Sequence, residues 1–114
     1  MDIRPATLRT CAPENALVAR YGGEEFACLL PGADVGAAAA LAERMRVAMQ
    51  ARDVELPGET GKTHVTLSAG VASRNLAGPD DAHHLMRDAD KALYRAKRKG
   101  RNRVCAADRG DSPG

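Results

Sequence analysis

The sequence predicts an α+β domain in which helices pack on one face of a mostly antiparallel sheet. Three observations predict it. Short runs of β character, Leu17–Arg20, Glu25–Leu30 and Val65–Val71, alternate with stretches of helical periodicity. A Gly-Gly pair between the first two runs is a hairpin signal, because glycine tolerates the positive φ of a tight turn. Finally, 114 residues with 44% hydrophobic and 28% charged side chains suit one ordinary core, which excludes a wholly disordered or fibrous chain.

The elements follow in order. Met1 to Ala6 lacks periodicity and contains Pro5, so it is expected to be loosely ordered. Thr7–Cys11 reads as the end of a helix, closed by Ala12-Pro13. The hairpin strands come next, and Pro31-Gly32 ends the second of them. Asp34 is the expected N-cap of a helix whose apolar stripe is Ala38, Leu41, Ala42, Met45 and Met49. A polar loop with Pro57, Gly58 and Gly61 follows. Val65, Leu67, Ala69 and Val71 then alternate with Thr66, Ser68 and Gly70, the period of a strand. After a turn at Gly78-Pro79-Asp80, Asp81–Lys99 predicts a helix with the stripe Leu85, Ala89, Ala92, Leu93 and Ala96. Gly100 stops it at the C′ position. Arg103–Ala106 predicts a last short strand, and Asp108–Gly114 a disordered tail. No linker or internal repeat divides residues 1–114, so one domain is expected.

No apolar run approaches the roughly 18–20 residues that a membrane span requires, and no charged-then-apolar leader opens the chain. A soluble protein is expected. Cys11, Cys28 and Cys105 are odd in number and lack metal-type spacing, which suits reduced thiols in the cytoplasm better than a disulfide framework. The net charge is +2, unevenly placed: Arg87 to Arg109 holds nine Lys/Arg against three Asp. Such a basic end suits a phosphate-bearing ligand, and equally a solvated helix face.

The hairpin tip carries the most chemistry. Gly22 and Gly23 let a bulky ligand approach the backbone, and Glu24 and Glu25 supply carboxylate oxygens beside it, the donors that suit Mg²⁺ bridging to a nucleotide phosphate. The residues by themselves also fit an ordinary turn with solvated acids. Lys97 and Arg101 flank the end of the last helix, where phosphate binding competes with a plain helix-dipole role worth about 0.3–1 kcal/mol. Gly61-Lys62-Thr63 imitates the end of a phosphate-binding P-loop, but Leu56 stands where the first glycine belongs and a strand follows instead of a helix. It is read as a turn. His83-His84 lacks an i,i+4 partner and is expected to be an exposed helix start without metal, and His64 a strand-end residue.

Ala19-Arg20-Tyr21-Gly22-Gly23-Glu24-Glu25-Phe26 resembles the eponymous motif of the GGDEF domains, the diguanylate cyclases, in its Glu-Glu variant. Phe26–Pro31 is similar to the family's next strand, and Val65–Ala72 to its later T-x-S-x-G-V-A strand. Asp88–Lys97 and Gly100–Val104 resemble its closing helix and strand, so the likeness covers about Leu8 to Val104. The resemblance implies a nucleotidyl-cyclase-like fold, a ferredoxin-like palm, and condensation of two GTP into cyclic di-GMP with release of two pyrophosphates. It implies Glu24 as a ligand of Mg²⁺ (or Mn²⁺), Glu25 as a metal ligand or activator of the attacking hydroxyl, and Gly22 and Gly23 lining the nucleotide. Lys97 and Arg101 match the family's phosphate-binding pair. A second GGDEF domain is implied as the partner, a homodimer with one GTP in each half, and no nucleic acid.

Two departures stand out. Pro13 and Ala16 occupy the positions of the Arg-x-x-Asp product-inhibition site that often precedes the motif, so that site is expected to be absent. Nothing before Leu8 resembles the family's first strand with its metal-binding Asp, or the helix after it, so an N-terminally truncated domain is expected, with an unpaired sheet edge. Two hypotheses follow: a diguanylate cyclase in bacterial second-messenger signalling, or an inactive truncated module that binds nucleotide or a partner protein.

Overall fold

Described in a computed structural model are residues 4–12, 17–20, 26–30, 34–55, 62–74 and 78–107. Along them run α1 (Arg4–Cys11), β1 (Leu17–Arg20), β2 (Phe26–Leu29), α2 (Val35–Ala51), β3 (Asp53–Glu55), β4 (Lys62–His64), β5 (Ala69–Val71), α3 (Asp81–Arg98) and β6 (Val104–Ala106).

The helix starts obey local chemistry. Asp34 caps α2 as expected: its Oδ1 accepts from the Ala37 N–H at 2.8 Å, satisfying a donor that the first turn leaves open. The predicted stripe is the buried one, with Leu41, Ala42, Met45 and Met49 inside. α1 begins earlier than the sequence predicts, at Arg4. Pro5 is no obstacle there, since a first-turn residue has no helical acceptor for its N–H and the ring presets φ. Residues 1–3 lie outside the described residues, as does the predicted tail at 108–114.

The expectation of a mostly antiparallel sheet needs correcting. Among the described residues the strands form three separate pairs, and the pair beneath α3 is parallel, with Ala69 facing Val104 and Val71 facing Ala106. The cause is connectivity. A strand, a helix and a strand in succession, with the second strand returning beside the first, make a crossover unit, and a crossover places its strands parallel. β1–β2 and β3–β4 are antiparallel, with Arg20 facing Phe26 and Glu55 facing Lys62.

The predicted strand Val65–Val71 is shorter, Ala69–Val71, and residues 62–64 pair with 53–55 instead. That second hairpin was missed because Asp-Val-Glu and Lys-Thr-His lack an apolar alternation to read. Lys62-Thr63, read as part of a turn, lies instead in β4, where its backbone pairs with Val54-Glu55, and His64 ends that strand as expected. The loop residues Pro57, Gly58 and Gly61 lie outside the described residues.

Two packing centres hold the elements. Leu8 of α1 meets Leu41 and Met45 of α2, with Cys11, Ala12, Cys28, Leu30 and Leu67 around them. At the other centre α3 lies almost in backbone contact with β5: a Cβ on Gly70 would collide with the Ala89 carbonyl oxygen and the Leu93 nitrogen. Ala92 and Ala96 are wholly buried on the same helix, and Asp88 is buried too, which the sequence did not foretell.

Candidate functional site

The end of α3 is built by a glycine. Gly100 has φ +119°, and the chain reverses there with two hydrogen bonds: Gly100 N–H donates to Lys97 O (3.4 Å), and Arg101 N–H to Ala96 O (3.0 Å). This pattern is a Schellman motif with Gly100 at C′, the position the sequence predicts. It brings Arg101 back against the last turn that carries Lys97. The two predicted phosphate-binding cations therefore share one helix end. Lys97 is half-buried and Arg101 exposed.

The turn continues left-handed beyond its glycine. Arg101 has φ +64° and Asn102 φ +48°, a region that side-chain-bearing residues seldom adopt. Asn102 is held on both sides: its N–H donates to Ser68 Oγ at 3.0 Å, and its Oδ1 accepts from Arg46 Nη1 at 3.1 Å. Arg46 on α2 is itself fixed by Glu43, through Nε at 2.5 Å and Nη2 at 2.9 Å, and by Gln50 at 3.0 Å. The Arg46 hydrogen bond holds the exposed Glu43 carboxyl below the usual carboxylate range, and Glu43 raises the guanidinium in return. Sequence reasoning missed this linkage. Asn two residues past a C′ glycine was a readable cue for a left-handed residue, but nothing in the sequence joins positions 46 and 102.

Beside this turn an open groove of about 440 Å³ runs between α2 and β6, lined by Ala39, Glu43, Arg46, Asn102, Arg103, Val104 and Ala106. A second groove of about 410 Å³ follows the outer face of α3 past Arg87, Asp90, Lys91, Tyr94 and Arg95. Neither is lined by Lys97 or Arg101.

Gly22, Gly23, Glu24 and Glu25 lie outside the described residues. The strands that flank them, β1 and β2, pair as the hairpin expectation requires. Among the described residues no group of three or more His, Cys, Asp or Glu could hold a metal ion, the His83–His84 pair included. The donor chemistry of the two glutamates fits a hard divalent cation such as Mg²⁺ or Mn²⁺. Among the described residues no helix is long and apolar enough to cross a membrane.

Residues 5–103 match the family model described as diguanylate cyclase, GGDEF domain. Diguanylate cyclase A of Treponema denticola is 40% identical over 97 residues, which are 85% of this chain and 25% of that protein. Diguanylate cyclase DgcM of Escherichia coli is 43% identical over 101 residues, 89% of this chain and 23% of that protein. The chain thus spans about a quarter of the length of these relatives. Among solved structures, the GGDEF domain of DgcB from Caulobacter crescentus, in complex with c-di-GMP, superposes with a TM-score of 0.82 at 35% identity. It is covered over 60% of its chain by 91% of this one. The active GGEEF domain of a diguanylate cyclase from Vibrio cholerae gives 0.81 at 32% identity, with 94% of this chain covering 65% of that one.

Proposed function

The chain belongs to the GGDEF domain family, and from that premise we propose that it acts as a diguanylate cyclase, condensing two GTP into cyclic di-GMP. The observation that carries the reading is the pairing, within one matched chain, of Gly22-Gly23-Glu24-Glu25-Phe26 with Lys97 and Arg101 at one helix end. Relatives named as cyclases at 40% and 43% identity weigh against the inactive module.

In the proposed reaction the 3′-hydroxyl of each GTP attacks the α-phosphate of the other. Each attack forms one phosphodiester bond, breaks one α–β phosphoanhydride bond and releases pyrophosphate. The residues have to position two polyanions and neutralise charge where it develops. Gly22 and Gly23 would let the nucleotide lie against the backbone. Lys97 and Arg101 would take the phosphate oxygens, the half-buried Lys97 from the helix and the exposed Arg101 from the turn. Glu24 and Glu25 would hold a divalent cation, which when bound supplies charge neutralisation at the phosphates, and Glu25 would also accept the proton of the attacking hydroxyl. One GTP per domain requires two domains face to face, so a homodimer is the proposed catalytic unit. A GTP substrate would favour a cytoplasmic location.

The test is to incubate the purified chain with GTP and Mg²⁺ and follow cyclic di-GMP by chromatography. Product is expected, with Glu25→Ala reducing it at least about a hundredfold while circular dichroism is unchanged. No product at high protein concentration would overturn the cyclase reading, and undiminished turnover in Glu25→Ala would remove that residue from the chemistry.

A further inference from the structure

The turn that carries Arg101 is conformationally costly, and side chains from three parts of the chain hold it. Gly100, Arg101 and Asn102 are successive left-handed residues, only the first of them glycine. A free chain would relax the other two toward negative φ. Here the backbone is tied at every step: Gly100 N–H to Lys97 O, Arg101 N–H to Ala96 O, Arg103 Nε–H to Arg101 O at 3.2 Å, and Asn102 N–H to Ser68 Oγ. The tie across the fold is Arg46, whose Nη1 reaches Asn102 Oδ1 from α2 while Glu43 and Gln50 fix its guanidinium. Three segments distant in sequence thus converge on one residue, and that residue is adjacent to Arg101.

We propose that Arg46, Asn102 and Ser68 form a clamp that presets the left-handed turn and so positions Arg101 for a nucleotide phosphate. Arg46 and Asn102 act in this proposal as positioning residues, through Arg101. Holding the backbone of an exposed arginine in advance removes an ordering cost from binding, which is how a remote hydrogen bond acts on affinity. The proposal rests on the reading of Arg101 as a phosphate contact.

Two measurements separate the clamp from that reading. The first is amide hydrogen exchange in the full chain without nucleotide: Arg46→Ala should speed exchange at Asn102 by about tenfold, the loss expected for a charged hydrogen bond. Unchanged exchange overturns the clamp. The second is GTP affinity in Mg²⁺ buffer. Arg46→Ala and Asn102→Ala should each weaken it about five- to tenfold with the native circular dichroism retained, and the double variant should lose no more than either single one. Asn102→Asp, which tolerates positive φ and still accepts from Arg46, should restore binding to within about twofold. In an Arg101→Ala background, Asn102→Ala should have no further effect. An equal loss in that background overturns positioning through Arg101, as does wild-type affinity in Asn102→Ala when Arg101→Ala is weakened. Wild-type affinity in Arg101→Ala overturns the phosphate role itself and the positioning with it, while the exchange measurement still decides the clamp.

Discussion

The two long helices solve the same packing problem by opposite means. α2 buries long flexible side chains: Leu41 and Met45 pack with Leu8 of α1, Cys28 and Leu67, and Met49 is wholly buried. The fully enclosed side chains of α3 are short. Ala92 and Ala96 are fully enclosed, and the helix backbone lies directly on Gly70 of β5. The first arrangement is a filled gap, in which volume can be traded among neighbours. The second is a contact between two main chains, in which nothing can move aside. A helix seated on backbone holds its C-terminal turn, which carries Lys97 and leads into Arg101, at a fixed height above the strands.

Variants can break or sharpen this contrast. The largest effect is expected at Gly70→Ala, where the new methyl would meet the Ala89 oxygen and the Leu93 nitrogen and lie 2.8 Å from Leu93 Cα. Overpacking against backbone should cost at least about 3 kcal/mol in urea denaturation. A variant as stable as the parent would show that α3 is not seated as described. On the α2 side, Met49→Ala removes the largest wholly buried side chain among the described residues and should cost about 3 kcal/mol, whereas Met49→Leu should stay under about 1.5 kcal/mol. Equal losses in those two would mean that the α2 core is as unforgiving as the α3 seat.

Smaller effects concern the helix starts. Asp34 accepts a hydrogen bond from Ala37 N–H, while Asp80, the N-cap of α3, makes no side-chain cap bond. Asp34→Ala should therefore lower stability by about 1 kcal/mol, and Asp80→Ala by no more than about 0.5 kcal/mol. The reverse order in thermal melts would refute the assignment of caps. The smallest effect is chemical. Burial against the Leu8–Leu41–Met45 cluster pushes the Cys28 thiol above its ordinary value of 9.0. Because the folded state favours the protonated form, its contribution to stability is complete below pH 9 and fades as pH climbs through the raised value. Alkylation of Cys28 by iodoacetamide in the native protein should accordingly stay slow until pH exceeds about 9. Rapid labelling at pH 7 would contradict the burial.

Much of this architecture was legible beforehand because it is local. Asp34 as a cap, Leu41 and Met49 on one stripe and Gly100 past the end of α3 are each written within a few residues of the feature they create. What escaped is what distance creates. The parallel pairing of Ala69 with Val104 depends on a helix carrying the chain back, and the Asn102–Arg46 bond joins residues 56 positions apart. The hairpin of Asp53–Glu55 with Lys62–His64 escaped for another reason: strands of mixed polar residues owe their pairing to backbone bonds, which leave no apolar period. Of the candidate site, the place of Lys97 and Arg101 around one helix end was readable from Gly100, and their phosphate role is what the family resemblance implies; the left-handed geometry that sets Arg101 was not legible.

The parallel pair also bears on how the chain is made. β5 has no hydrogen-bonded partner among the described strands until β6 arrives, and Ala69 waits for Val104, thirty-five residues further along. During synthesis from the N-terminus, at about 5–20 residues per second, Ala69–Val71 emerges seconds before the strand that will satisfy it. α3 is completed in that interval and can cover Gly70 first. Translation pauses placed between codons 71 and 104 would lengthen the time the strand stands open, and would be the pauses most apt to send the nascent chain to a chaperone.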